Sequence, residues 1–161
     1  MLPPETFNLV VQSTSLVAID FVVRTPDGKN LLAKRNNRCA QSSWFVPKGR
    51  ILKDESVKLT FKKLLIDELG LRPEVAKASS VGLYQYFYPD NFSLESFITH
   101  YVVTAYEIQV QVQDKPCTLP DKQHSEFQWF DQDDLLVSRE VHQCTKRYFM
   151  QNKQADSAPP N

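Results

Sequence analysis

The sequence predicts an α/β fold in which helices flank a mixed sheet, as an α/β/α sandwich. Apolar runs typical of strands occur on both sides of one amphipathic helical segment, and further helical segments lie near the two ends of the chain. With 161 residues, the chain is long enough to form one hydrophobic core. We therefore expect a single domain over residues 1–153, followed by a disordered polar tail over residues 154–161.

The first third of the chain predicts one helix and three strands. Two prolines open an apolar segment, which is typical of a short helix over residues 5–11. The run Leu16–Val23 is apolar and β-branched, which predicts a buried strand. Thr25–Gly28 has the composition of a turn and predicts a hairpin into a strand over residues 30–34. A polar loop then leads to a short strand over residues 44–46.

The amphipathic helix has start and stop signals. Asp54 and Ser56 are both able to cap its first turn, so two N-caps compete. Gly70 stands where a left-handed glycine commonly ends a helix. Gly49, before the helix, is expected to permit a close backbone turn. The apolar contacts of the helix are expected from Val57, Leu59, Phe61, Leu64 and Leu65.

The second half of the chain predicts long strands and C-terminal helices. Residues 78–88 form a strand in this interpretation, with Gly82 as a bulge. The other predicted elements are an alternating strand over 97–112, a short strand over 126–130, and helices over 131–136 and 138–153.

The composition excludes several classes of partner. Nineteen basic and nineteen acidic residues cancel, so we expect neither nucleic acid nor a membrane surface as a partner. No apolar run approaches the ~18 residues of a membrane span, and the N-terminal residues do not resemble a signal peptide. Three cysteines without metal-ligand spacing predict reduced thiols in a cytoplasmic protein.

The segment Gly49–Leu71 resembles the Nudix box, G-x5-E-x7-R-E-U-x-E-E-x-G-U, in which U is a bulky aliphatic residue. The positions that match are Gly49, Glu55, Leu65, Glu68, Gly70 and Leu71. The positions that differ are Lys63 for arginine, Leu64 for the first paired glutamate and Asp67 for the next glutamate. The resemblance covers nearly the whole chain and implies the Nudix fold.

Leu64 removes a carboxylate that would lie one turn from Glu68 on the same face of the helix. A lone helix glutamate usually pairs with a nearby lysine, but within a box-like segment metal ligation is the better interpretation. The loop Pro120–His124, together with Leu64, resembles the GDP-mannose-hydrolysing group of the Nudix family. Segments 13–17, 37–41 and 99–103 resemble the same group. In that group water attacks the anomeric carbon with inversion, whereas most Nudix relatives attack phosphorus.

This resemblance implies one Mg²⁺ per subunit, with Mn²⁺ as an alternative, and a homodimer. The implied metal ligands are the side chains of Glu68 and Gln123 and the carbonyl of Lys48. His124 is implied as the general base, while Arg35 and Arg50 stabilise the departing diphosphate. The implied substrate-binding residues are Leu2, Phe7, Asp20, Arg35, Tyr86 and Tyr101.

Some of these residues also have a purely structural interpretation, as partners in an ion pair or in packing. Arg50 is able to pair with Glu55, which is otherwise expected to order the loop, and Phe7 and Tyr101 are able to serve in packing. Lys48, Lys63 and Tyr86 depart from the pattern of the group, in which glycine, arginine and histidine are expected.

Three functions therefore stay open. The first is inverting hydrolysis of GDP-mannose or GDP-glucose. The second is a pyrophosphatase that cleaves the P–O bond of a nucleotide sugar, and the missing carboxylate at Leu64 argues against it. The third is a non-catalytic nucleotide-binding module, which the departures at Lys63 and Tyr86 motivate.

Overall fold

The structure is a computed structural model that describes residues 2–36, 42–74, 76–89, 97–111, 124–150 and 155–156, with the backbone alone at 124 and 125. Its elements in chain order are α1 (Pro4–Ser13), β1 (Leu16–Arg24), β2 (Asn30–Arg35), β3 (Trp44–Phe45), β4 (Lys48–Arg50), α2 (Val57–Leu69), β5 (Lys77–Tyr88), β6 (Thr99–Gln109), β7 (His124–Phe130), α3 (Gln132–Val137) and α4 (Gln143–Lys146). Within these ranges, no helix has both the length and the apolar character needed to cross a bilayer.

The strands form one mixed sheet, which confirms the predicted fold class. The central order is β3-β2-β1-β6-β5, while β4 pairs with β1 and β7 pairs with β2. The β1–β6 pair is parallel, and the other ladders are antiparallel. The sheet is mixed because β1 runs parallel to β6 and antiparallel to β2 and β4.

Alternation along β1 divides the core into two parts, since successive side chains of a strand point to opposite faces of the sheet. We call one side the α2 face, where Ile19, Phe21 and Val23 pack with Leu64, Leu65 and Leu69. We call the other side the α4 face, where Ala18 and Val22 pack with Val141, Tyr148 and Phe149. Each face buries its own apolar cluster, so the helices flank the sheet as predicted.

Ser56 and Gly70 bound helix α2. The Leu59 amide donates to the Ser56 hydroxyl at 3.2 Å, and Gly70 is left-handed with φ of 61°. Val57 and Leu59, from which apolar contacts were expected, are 44% and 56% exposed. Helix α2 packs instead through Thr60, Leu64, Leu65 and Leu69.

The C-terminal part of the domain differs from the predicted helix over 138–153. In its described portion the only helix is α4, because Val141 forms a parallel bridge with Trp44. The Trp44 amide donates to the Glu140 carbonyl at 2.8 Å, and the His142 amide donates to the Trp44 carbonyl at 3.1 Å. These bonds hold residues 140–142 against β3, and α4 begins only after its N-cap, His142.

Strand β5 carries the predicted bulge. Its register with β6 shifts between Ser80 and Gly82, and Gly82 has φ of 145°. Ala155 packs against Gly82, and the Asp156 carboxylate accepts from the Gln85 amide at 2.7 Å. Two residues of the predicted tail thus contact strand β5, while the domain limits and the disorder of residues 154–161 stay predictions.

Candidate active site

Five of the predicted site residues have side chains on the α4 face. In β4, Lys48 lies opposite Asp20 and Arg50 lies opposite Ala18. Laterally paired residues of neighbouring strands share a face of the sheet. The ladders from β1 through β6 to β5 place Tyr101 and Tyr86 on the same side. The sheet register therefore brings together Asp20, Lys48, Arg50, Tyr86 and Tyr101.

Asp20 is a buried carboxylate in an apolar strand, with 3% exposure. The Tyr148 hydroxyl donates to Asp20 Oδ2 at 2.8 Å, while Oδ1 has no hydrogen-bond partner among the residues the structure describes. Burial raises the pKa of Asp20, opposed by the charge of Lys48, the Tyr148 hydrogen bond and the charge of Arg35. Sequence reasoning identified Asp20 but missed Tyr148, whose only signal was its place on the apolar side of the predicted helix over 138–153.

Tyr86, which stands in place of an expected histidine, is a buried hydrogen-bond donor. Its hydroxyl donates to the Cys144 carbonyl at 3.2 Å, and its side chain is 4% exposed. Burial raises the pKa of Tyr86 far above its usual value. Tyr86 is therefore a neutral phenol at physiological pH. Unlike histidine, it does not become positively charged by taking up a proton.

The Lys48 side chain brings a cation into this region. Its ammonium lies 4.2 Å from the ring centroid of Phe45 and 5.3 Å from that of Tyr88, and donates to the Tyr88 hydroxyl at 3.2 Å. Both rings present negative π faces to the charge. A glycine at this position would provide none of these contacts, so the departure at Lys48 changes the electrostatics of the site.

The β1–β4 ladder also determines the direction of the Lys48 carbonyl. The amide of Phe21 donates to Pro47, and the amide of Ile51 donates to Val17, across the β1–β4 ladder. Because hydrogen-bonded pairs alternate in an antiparallel ladder, Lys48 falls at a non-hydrogen-bonded position. Its carbonyl therefore points away from β1.

Arg50 connects strand β4 to helix α1. Its guanidinium carbon lies 4.5 Å from the ring centroid of Phe7. Planar guanidinium groups stack well on aromatic faces, so this contact brings Phe7 to the predicted diphosphate cation. Leu2, just before α1, is 52% exposed.

Glu55 orders the loop before α2, as predicted. Its carboxylate accepts from Lys63 at 3.2 Å, from the Leu52 amide at 3.3 Å and from the Thr60 hydroxyl at 3.0 Å. These hydrogen bonds, that of Lys63 first, lower the pKa of Glu55. Glu55 therefore pairs with Lys63 and not with Arg50. Although Lys63 replaces the arginine of the box, it still connects helix α2 to the loop that precedes it.

Arg35 and His124 meet across the β2–β7 ladder. They are Cα partners, next to a register shift between Lys34 and Arg35. The Arg35 guanidinium carbon lies 5.6 Å from the Phe45 ring centroid, and its charge acts on Asp20. The backbone of the predicted base thus lies beside a predicted diphosphate cation. Gln123 and the His124 side chain fall outside the described part of the chain.

Gly49 and Leu64 form the closest contact between β4 and α2. Gly49 pairs with Ile19 and so faces α2, and a Cβ at Gly49 would lie 2.3 Å from Leu64 Cδ2. Gly49 has no positive φ, so the predicted turn role is wrong, and close approach of Leu64 explains the glycine. Glu68 follows one helical turn after Leu64 on the same side of α2 and is half-buried.

The Gly49→Ala variant is expected to be less stable by about 1–3 kcal/mol, because the added methyl overlaps the Leu64 side chain. In a Leu64→Ala background the same change is expected to cost less, since the overlapping atoms are gone. Urea unfolding of the parent, both single variants and the double variant measures this coupling. Equal costs in both backgrounds would contradict the packing explanation.

Comparison with known proteins identifies the chain. Residues 14–152 match the model of the NUDIX domain. The chain belongs to the Nudix family. The low-salt glycan biosynthesis protein Agl8 of Haloferax volcanii is 31% identical over 131 residues, which cover 81% of this Nudix chain and 80% of that protein.

Solved structures agree on the Nudix fold. The MutT protein of Methanosarcina mazei Go1 superposes with a TM-score of 0.68 at 18% identity, covering 87% of this chain and 94% of that one. The NUDIX domain of Shewanella oneidensis NrtR, solved with ADP ribose, gives 0.62 at 20% identity, covering 87% and 84%. At these identities the likeness concerns the fold alone.

Nudix hydrolases generally use divalent metals such as Mg²⁺ and act on nucleotide-derived substrates. The described residues contain no group of three or more histidine, cysteine, aspartate or glutamate side chains placed to hold a metal ion. The Glu68 carboxylate and the Lys48 carbonyl are hard oxygen donors, and the predicted Gln123 amide would be a third. These donors fit a single Mg²⁺ that keeps several waters.

Proposed function

We propose that this Nudix protein hydrolyses GDP-mannose, and GDP-glucose, to GDP and free sugar by inverting attack of water at the anomeric carbon. The observation that carries the proposal is the burial of Leu64 against Gly49. Helix α2 therefore offers Glu68 without a second carboxylate one turn earlier. A single metal is sufficient to neutralise a departing diphosphate, whereas attack on phosphorus benefits from more metal coordination.

Two arginines and a histidine supply further roles in this proposal. Arg35 and Arg50 bind the diphosphate through planar donor groups, and His124 accepts the proton of the attacking water. Glu68, Gln123 and the Lys48 carbonyl would hold Mg²⁺, which would supply positive charge to the leaving group. Base and leaving group act on opposite sides of the sugar, as in inverting glycosidases.

The substrate contacts belong to the same proposal. Phe7, next to Arg50, flanks guanine together with Leu2, and Asp20, Tyr86 and Tyr101 bind the rest of the substrate. One comparison supports a glycan-related substrate: the relative Agl8 is named for glycan biosynthesis. A homodimer with one Mg²⁺ per subunit, in the cytoplasm, completes the proposal.

Hydrolysis of GDP-mannose in ¹⁸O-water tests which bond breaks. Cleavage at carbon is expected to give GDP without label, and proton NMR at early times is expected to show β-mannose as the first sugar product. Because free mannose exchanges its anomeric oxygen with water, the decisive readout is the phosphorus spectrum and mass of GDP. Formation of GMP and mannose 1-phosphate, or label in phosphate, would instead support the P–O pyrophosphatase.

A further inference from the structure

A buried carboxylate oxygen on the α4 face has no hydrogen-bond partner among the described residues. Asp20 Oδ1 is that atom, whereas Oδ2 of the same carboxylate accepts from Tyr148 at 2.8 Å. Leaving a buried polar atom without a hydrogen bond is destabilising. A carboxylate held through one oxygen, with the other oxygen unpaired, is suited to bind a donor from outside the chain.

Tyr148 is held rigidly enough to orient that carboxylate. Its side chain is 1% exposed, and its ring meets the ring of Tyr84 edge-on with centroids 4.9 Å apart. The ring of Tyr86 lies perpendicular to it at 6.3 Å. Edge-to-face arrangements of this kind are favoured by the ring quadrupoles. The Tyr148 hydroxyl therefore has little freedom to leave Asp20.

The surroundings of Asp20 favour a polar, uncharged donor. The charges of Lys48 and Arg35 already act on the carboxylate, so a further cation would be repelled. Tyr101, on the same face and partly exposed, meets the ring of Tyr88 edge-on at 5.9 Å. Sites for small molecules combine apolar and aromatic walls with a few placed polar groups, and a single acceptor among ring faces suits a hydroxyl donor.

We propose that Tyr148 is a positioning residue that holds Asp20 Oδ2, so that Oδ1 accepts a hydrogen bond from a hydroxyl group of the sugar in the substrate. The identity of that substrate rests on the proposed function. A site built to hydrogen-bond a hydroxyl rejects analogues that lack it, because the buried acceptor is then left unpaired. Tyr148, which lies 128 residues from Asp20 in the sequence, would thus contribute to sugar selectivity without touching the reacting atoms.

The test measures equilibrium binding of GDP-mannose and of GDP by calorimetry, in a His124→Ala background that limits turnover. The variants are Tyr148→Phe, Asp20→Asn and their combination, with Tyr84→Phe as the control because it alters the same aromatic cluster. Tyr148→Phe is expected to weaken GDP-mannose binding about tenfold and GDP binding less than twofold. The double variant is expected to bind like Asp20→Asn, because both changes act through one carboxylate.

The outcomes separate this inference from the proposed function. If the parent binds GDP-mannose without hydrolysing it and Tyr148→Phe shows the sugar-specific loss, the inference stands and the proposed activity fails. If the parent hydrolyses GDP-mannose and Tyr148→Phe binds it like Tyr84→Phe, the inference is overturned and the activity stands. Equal weakening of GDP and GDP-mannose would place the hydroxyl on ribose and overturn the inference.

Two further results are decisive. Absence of any GDP-mannose binding by the folded parent overturns both proposals. Should Tyr148→Phe fail to fold, as judged by circular dichroism, Asp20→Asn still tests the sugar contact, since it keeps the Tyr148 ring in place. Unchanged selectivity between GDP-mannose and GDP in Asp20→Asn would overturn the inference.

Discussion

The His124→Ala variant is expected to hydrolyse GDP-mannose with a kcat about 10²–10⁴-fold below that of the parent, because a positioned general base contributes a factor of this size. The backbone of His124 lies opposite Arg35 in the β2–β7 ladder, next to a predicted diphosphate contact. The affinity for GDP is expected to change by less than twofold, because the base acts on water. Initial rates of GDP release and calorimetric binding of GDP measure the two quantities.

His100→Ala is the matched control for this prediction. His100 stacks on Phe87 with ring centroids 4.4 Å apart, and its Nε2 lies 3.2 Å from Gln85 Oε1. It directly precedes Tyr101 in β6 and so points to the opposite face of the sheet. Its loss is expected to leave kcat unchanged. A His124→Ala variant with more than a tenth of the parent kcat would remove His124 from the role of base.

The fold was predictable from the sequence where local signals act alone. The β-branched run of β1, the glycine that ends α2 and the bulge at Gly82 all appear where the residue types indicate. The helix predicted around Val141 is wrong because the backbones of its neighbours Glu140 and His142 bond to Trp44, in a strand almost a hundred residues earlier. The exposure of Leu59 was missed for a related reason: the buried side of α2 is set by contact with β4, which local spacing does not reveal.

For the candidate site, the sequence predicted which residues take part better than it predicted their contacts. The resemblance selected Asp20, Lys48 and Tyr86, which the sheet register places on one face. It gave no indication of Tyr148 as the partner of Asp20, because no sequence pattern connects residues 128 positions apart. Nor did it indicate that the Lys48 side chain lies against the Phe45 ring, since the resemblance expected a glycine there.

The Glu68→Gln variant is expected to lose about 10²–10³-fold of its Mg²⁺-dependent kcat/KM for GDP-mannose, because the charge supplied by a bound metal contributes several kcal/mol. In a box with two carboxylates one turn apart, the second is able to retain part of the metal affinity. Here the earlier position is Leu64, 8% exposed and in contact with Gly49, so α2 offers no replacement there. Rates titrated against Mg²⁺, with EDTA-treated parent as the metal-free reference, measure the loss.

Asp67→Asn separates the ligand from the general charge of the helix. Asp67 directly precedes Glu68, is exposed, and loses the same charge on substitution. If Glu68 binds the metal, only Glu68→Gln should approach the rate of the EDTA-treated parent and require more Mg²⁺ for half-maximal rate. Similar losses in both variants would mean that Glu68 acts through the net charge of α2. In that case the Mg²⁺ site would have to be sought among other oxygen donors.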